Sequence, residues 1–149
     1  MDSNDVCDSL MLNTGEFFLS VPEKNGNIEG YRLVPWDQNF TYGGLSWTYI
    51  DVAVTNEKEV FIIYLYGSYE SLKNAKQHYD SAVALFTQKY GKGNTPEEGN
   101  IFWTDNVNSI GLRYYESSAT DGTDRSFCEL YYCNIALSEK VYKENQPDI

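Results

Sequence analysis

The run FIIYLYGSYESLKNAKQHYDSAVALFTQKYG, Phe61 to Gly91, changes its apolar period part-way along, and that change decides the fold. Phe61 to Tyr66 is apolar at every position, the pattern of a strand central in a sheet that is covered, at least in part, on both sides. From Ser68 onward the apolar residues recur at helical spacing. Leu72, Ala75, Tyr79, Ala82, Val83, Phe86 and Tyr90 fall within an arc of about 100° at 3.6 residues per turn. Ser68 is the expected N-cap, Lys89 suits the last turn, and Gly91 is placed to end the helix in a left-handed cap. An amphipathic helix of this length needs a sheet to lie on.

The flanks supply that sheet. Upstream, Phe17 to Val21 and Ile28 to Val34 flank Lys24-Asn25-Gly26-Asn27, whose Asn-Gly pair favours a tight primed turn. A second hairpin joins Leu45 to Val54 with Val60 to Tyr66 around Thr55 to Lys58, with Ile50, Val52 and Val54 alternating against Tyr49, Asp51 and Ala53. Downstream, Ile101 to Thr104, Ser109 to Tyr115 and Phe127 to Leu137 read as three strands. Short links favour antiparallel pairing, and the helix carries the chain across the sheet between its two halves. The expected fold is α+β: a curved, largely antiparallel sheet of about six to seven strands packed on one long helix, in the order two hairpins, helix, three-stranded meander. Its 149 residues fit a single domain, 1–149, with residues 1–15 a loose lead and 143–149 a disordered tail.

Composition narrows function mainly by exclusion. Asp and Glu number 22 against 11 Lys and Arg, a net charge of -11. Phosphate binding draws most of its non-specific affinity from Lys and Arg, so nucleic acid is not an expected partner. The acidity is uneven. Residues 1–30 hold six acids and one base and residues 94–149 ten acids and four bases, whereas residues 69–93 hold two acids and four bases. No apolar run reaches the ~20 residues that cross a bilayer, so no membrane insertion is expected. The start Met-Asp-Ser-Asn-Asp is too acidic for a signal peptide, so either the protein is cytoplasmic or a targeting segment precedes Met1 and has been removed.

Residues able to do chemistry are few. There is one histidine, His78, about 90° from the centre of the helix's apolar stripe and therefore expected at its boundary or in water. Cys128 and Cys133 sit on opposite faces of one strand, roughly 16 Å apart, and cannot bridge each other; Cys7 could pair with either, or all three remain thiols. A Cys–His pair would require one of these cysteines to face the helix flank. Asp51, Glu116 and Glu129, the carboxylates in or beside strands, are expected to point to solvent. Asp121-Gly122-Thr123-Asp124 offers oxygens around a glycine turn but lacks the spaced acids and terminal Glu of a calcium loop, and reads as a solvated turn. One His and no Cys-x-x-Cys leave no zinc set, and Gly43-Gly44 precedes a strand rather than a phosphate-binding helix. No metal and no cofactor are expected, and no catalytic residue is assigned.

The aromatics remain: 13 Tyr, 7 Phe and 3 Trp. Trp36, Phe40, Tyr42 and Trp47 crowd the loop Trp36 to Gly44 and the strand after it, either folded back over the core or presented as binding residues. Tyr114-Tyr115 and Tyr131-Tyr132 place a ring on each face of two strands, which cross-strand packing explains without a ligand. The leading functional expectation is a non-enzymatic acidic binding module that contacts a protein partner through its acidic surface and aromatic anchors, inhibitor- or immunity-like. The alternative is an exported or envelope-associated module that binds sugar or peptide through the aromatic loop 36–47. A third is an enzyme of unrecognised type using Cys128, Cys133 or the strand carboxylates.

Overall fold

The computed structural model describes residues 17–19, 23–25, 28–35, 39–55, 57, 59–118 and 124–144. Cys7, Trp36 and most of the Asp121 to Asp124 turn lie outside these residues. Among the described residues eleven strands and two helices follow one another: β1 Phe17–Leu19, β2 Glu23–Asn25, β3 Ile28–Pro35, β4 Phe40–Tyr42, β5 Leu45–Trp47, β6 Tyr49–Val54, β7 Val60–Tyr69, α1 Leu72–Tyr90, β8 Asn94–Glu97, β9 Asn100–Thr104, β10 Asn108–Ser118, β11 Asp124–Asn134 and α2 Ile135–Glu144. The main sheet runs β1-β3-β6-β7-β11-β10-β9-β8, with β2 also on β3. Every ladder is antiparallel.

The topology follows from the position of β7. It pairs with β6 through Ile50↔Leu65 on one side and with β11 through Leu130↔Leu65 on the other, so it joins the halves of the sheet. The chain then leaves through α1 to the far edge and returns strand by strand, β8 to β11, until β11 closes on β7. The α+β fold with a largely antiparallel sheet on one long helix is therefore the observed one. Beyond the expected strands, the edge strand β8 is exposed and polar and carries Pro96, a residue suited to an edge that must not pair further.

Helix α1 begins at Ser71, not Ser68. Ser68 is still in β7, opposite Phe127, and pairing with β11 continues to Tyr69. The Asn74 amide donates to Ser71 Oγ at 3.2 Å, which fills the N-cap role. Gly91 does end the helix, but at φ 85°, ψ -161°, a conformation open to glycine and outside the left-handed helical region, with its amide donating to Thr87 O at 2.8 Å.

The buried face of α1 is Ala75, His78, Tyr79, Ala82 and Phe86, whereas Leu72 and Tyr90 are each 42% exposed. Relative to the apolar stripe, the contact arc is turned by about 40° toward His78. Gly67 is the cause: a Cβ there would lie 2.6 Å from His78 Nδ1 and 2.8 Å from its Cε1. A strand residue without a side chain lets the imidazole enter the helix–sheet interface. Around this contact, Leu33, Ile50, Val52, Leu65, Leu112, Cys128 and Leu130 of the sheet meet Tyr79, Ala82 and Phe86 of the helix. At its far end the helix is tied to the sheet by Trp103 Nε1, which donates to Gly91 O at 2.9 Å.

The segment expected to be an irregular aromatic loop is largely a second, two-stranded sheet. Phe40↔Trp47 and Tyr42↔Leu45 are paired around Gly43 and Gly44, whose φ angles of 63° and 81° suit a primed two-residue turn. The strand expected to run to Leu137 stops at Asn134, where Asn134 Oδ1 accepts from the Leu137 amide at 3.0 Å and caps α2. Lys143 and Glu144 close that helix, which buries Val141 and reaches back to the β6–β7 connection through Lys140 Nζ and Glu57, 3.4 Å apart. Among the described residues no helix is long and apolar enough to cross a membrane.

Substituting Gly67→Ala should cost about 2 kcal/mol in urea unfolding, because the methyl group and the imidazole compete for one space. In a His78→Ala background the same substitution should cost much less. Strict additivity of the two changes would show that this contact does not set the helix position.

Candidate functional site

The face of the sheet turned away from α1 is tyrosine-rich. Alternation along β6, β7, β10 and β11 sends Tyr49, Tyr64, Tyr66, Tyr115, Phe127 and Tyr131 to this side, all partly buried. Their rings run in a chain across four strands. Tyr49 and Tyr66 lie 4.9 Å apart between centroids, Tyr66 and Tyr64 5.9 Å, and Tyr64 and Tyr131 6.5 Å. Phe127 joins Tyr66 at 6.1 Å to Tyr115 at 5.7 Å. Gly111 of β10 lies beneath the Tyr131 ring, where a Cβ would stand 2.1 Å from two ring carbons.

Two ion pairs are set into the rings. Arg32 Nε and Nη2 donate to the two Asp51 carboxylate oxygens at 2.8 and 2.9 Å, and the guanidinium lies 4.3 Å from the Tyr49 ring centroid. Arg113 likewise forks onto Glu129, through Nε to Oε2 and through Nη2 to Oε1 at 3.0 Å, and stacks 4.7 Å from the Tyr115 centroid. Glu129 corrects the expectation that strand carboxylates point to water. It is on the outer face, yet only 2% exposed, with Arg113 as its charge partner and the Tyr115 hydroxyl 3.5 Å from Oε1. Asp51 is half-buried and paired; Glu116 is exposed as expected.

Electrostatics keep the hydroxyls of this face protonated. Burial raises the pKa of Tyr49, Tyr64, Tyr66 and Tyr131, and pushes Tyr115 up to about 12 with the Glu129 charge adding to the effect. The guanidinium of Arg113 is held above its ordinary value by its hydrogen bonds to Glu129. At neutral pH the surface therefore offers phenol donors and acceptors, ring faces and two arginines whose charges are already balanced.

The four residues selected from the sequence are not gathered into one surface. Trp36 lies outside the described residues. Phe40 and Trp47 are buried in the core, and Trp47 Nε1 donates to Tyr42 O at 3.1 Å. Tyr42 is 41% exposed, with its hydroxyl 2.9 Å from that of Tyr132. The outer-face tyrosines are not among those four because cross-strand packing accounts for strand rings without a ligand. The alternation of Tyr64 and Tyr66 with Leu65 was the available signal.

On the helix side, His78 departs from the boundary position expected of it. It is 7% exposed, packed on the Trp47 ring at 4.4 Å between centroids, with Nδ1 2.6 Å from the Tyr69 hydroxyl and Nε2 without a partner. Burial lowers its pKa to about 4, so the imidazole is neutral at pH 7. Cys128 faces this side and is fully buried; burial, then the Glu129 charge, pushes its thiol up to about 12, the reverse of what a nucleophile requires. Cys128 and Cys133 are free thiols. Among the described residues no three His, Cys, Asp or Glu are placed to share a metal ion.

No protein-family model, no curated protein and no solved structure matches this chain.

Two titrations probe these buried groups. Because the folded-state pKa of His78 lies below its ordinary value, its contribution to stability is complete above pH 6.5 and is lost as pH falls toward 4. The loss should reach about 2 kcal/mol by chemical denaturation and be absent from His78→Gln between pH 5 and 6.5, where carboxylates contribute little. A wild-type protein with no slope there would contradict the neutral buried imidazole. Separately, Arg113→Met should destabilise by about 3 kcal/mol by stranding the Glu129 charge, and the Arg113→Met/Glu129→Met double substitution should recover most of that loss. Equal losses in the single and double variants would mean that packing, not the ion pair, is at stake.

Proposed function

We propose that this protein is a non-enzymatic binding module that engages a protein partner through the tyrosine-rich outer face of its sheet. The observation that carries this reading is the continuity of six aromatic side chains with two Arg–carboxylate pairs across β3, β6, β7, β10 and β11. Tyrosine and arginine dominate the energetics of protein interfaces because each buries a large surface while keeping polar atoms to pair. Mutual stacking already orders these rings on a rigid sheet, so little side-chain entropy remains to be lost on association. The charges within the patch are paired.

The rest of the molecule carries the net charge of -11, which favours a basic partner and speeds encounter with it at low ionic strength. An inhibitor- or immunity-like role, in which an acidic protein covers a basic surface, fits this arrangement. Nucleic acid does not fit it.

A photo-crosslinking phenylalanine analogue placed at Tyr66 in cells that make the protein should yield a discrete adduct with a basic protein. The same analogue at Tyr142, which is 69% exposed on α2, should not. Tyr64→Ala should weaken the isolated complex at least tenfold, on the scale of an interface hot spot, and raised salt should slow its association. Identical adducts from both positions, or none from Tyr66, would refute the assignment of this face.

A further inference from the structure

The opposite side of the sheet carries a concavity. An open cleft of about 330 Å³ is lined by Leu45 and Ser46 of β5, by Tyr69, and by Asn74, Gln77, His78 and Ser81 of α1. The four helix residues are spaced i, i+3, i+4 and i+7, which makes one continuous stripe. That stripe is polar and uncharged on a helix that otherwise exposes Lys73, Lys76 and Asp80 to solvent. Its floor is His78, whose Nδ1 is engaged by Tyr69 and whose buried Nε2 has no protein partner. An unpaired buried polar atom is destabilising, and an apolar residue at this position would avoid that cost.

From this geometry we infer that the cleft binds a neutral polyhydroxylated ligand about one sugar ring in size, free or at the end of a glycan. Volume permits it, since ligand pockets begin at about 300 Å³. Chemistry selects it. Hydroxyls both donate and accept, and so do the amides of Asn74 and Gln77 and the hydroxyls of Ser46 and Ser81, so ligand and lining pair without excess of either kind. No charged side chain lines the cleft, and a charged ligand would lose its hydration there with no counter-charge. The tautomer in which Tyr69 donates to Nδ1 leaves the imidazole proton on Nε2, a donor shut from solvent in the free protein that a ligand hydroxyl reaches with a local shift of the side chains over it. The aromatic ribbon β4–β5 thus contributes to sugar binding by walling the cleft with Leu45 and Ser46, while its own Phe40 and Trp47 rings stay in the core. The site is independent of the outer face, and neither reading depends on the other.

The test is a titration of the full chain, followed by the nitrogen resonances of its single imidazole. Glucose, galactose, mannose and N-acetylglucosamine are the probes, with inorganic phosphate and an uncharged blocked dipeptide as the other arms. At least one sugar should move the His78 Nε2 resonance saturably. The Asn74→Ala/Gln77→Ala variant, altered only at exposed helix positions, should lose that affinity at least tenfold with its melting temperature nearly unchanged. A response to phosphate or to the dipeptide with none to any sugar would overturn the proposal, as would no response to any probe. A sugar response that survives the double variant unweakened would overturn it as well.

Discussion

The imidazole of His78 occupies the space that a Cβ on Gly67 would fill, and this close approach determines how α1 lies across the strand shared by both halves of the sheet. With His78 inward, the helix presents Ala75, Ala82 and Phe86 to the sheet and leaves Leu72 and Tyr90 at its margin. The same contact places His78 against Trp47, and so fixes where the β4–β5 ribbon folds back over the core. Removing water from a ring nitrogen without supplying it a protein partner opposes this packing. The burial of Trp47, Tyr79 and Phe86 around it contributes more, since each large side chain removed from water is worth roughly 1.5–3 kcal/mol.

Strand β7 also explains why the two faces of the sheet differ so much. Residues 65 and 67 face α1, and residues 64 and 66 face away from it. A bare row of aliphatic side chains there would expose a large apolar patch. Tyrosines solve this by burying ring area against one another while each brings a polar hydroxyl to the layer, and Arg32 and Arg113 lay their guanidinium planes over the rings at the two sides of the chain. Among the described residues Glu129, between Tyr66 and Arg113 in cross-strand register, is the carboxylate sunk deepest into this layer. Its charge is tolerable because the guanidinium satisfies both oxygens in a single plane.

Local periodicity made much of this architecture legible. The 3.6-residue recurrence from Leu72 to Tyr90 and the alternation from Tyr49 to Val54 report directly on helix and strand, and the antiparallel order followed from short links. What escaped was non-local. Both Ser68 and Ser71 are good caps, and only the pairing of Tyr69 with Ser126 on a distant strand selects the second. His78 sits off the apolar stripe by any helical wheel, and the glycine that admits it lies on another element. Residues Ile135 to Leu137 continue a strand-like run, and the Asn134 cap is visible only once α2 is seen to pack beside β7 and β11. For the candidate site, aromatic density drew notice to Trp36, Phe40, Tyr42 and Trp47, where residues are close in sequence. The larger aromatic surface is assembled from rings up to about eighty positions apart, and a single chain read in order does not display it.

The distribution of charge bears on how the proposed binding would proceed. Within the outer face each arginine is matched by a carboxylate, so the patch presents a nearly balanced surface surrounded by an acidic molecule. Long-range attraction and short-range docking would then be carried by different residues. In the proposed complex the surrounding acids would act over roughly a Debye length and set the rate of encounter, whereas rings and paired arginines would act only in contact and set its lifetime. Such a division spares the docking surface the desolvation of unpaired charge, which is the term most able to cancel the gain from burying aromatic area.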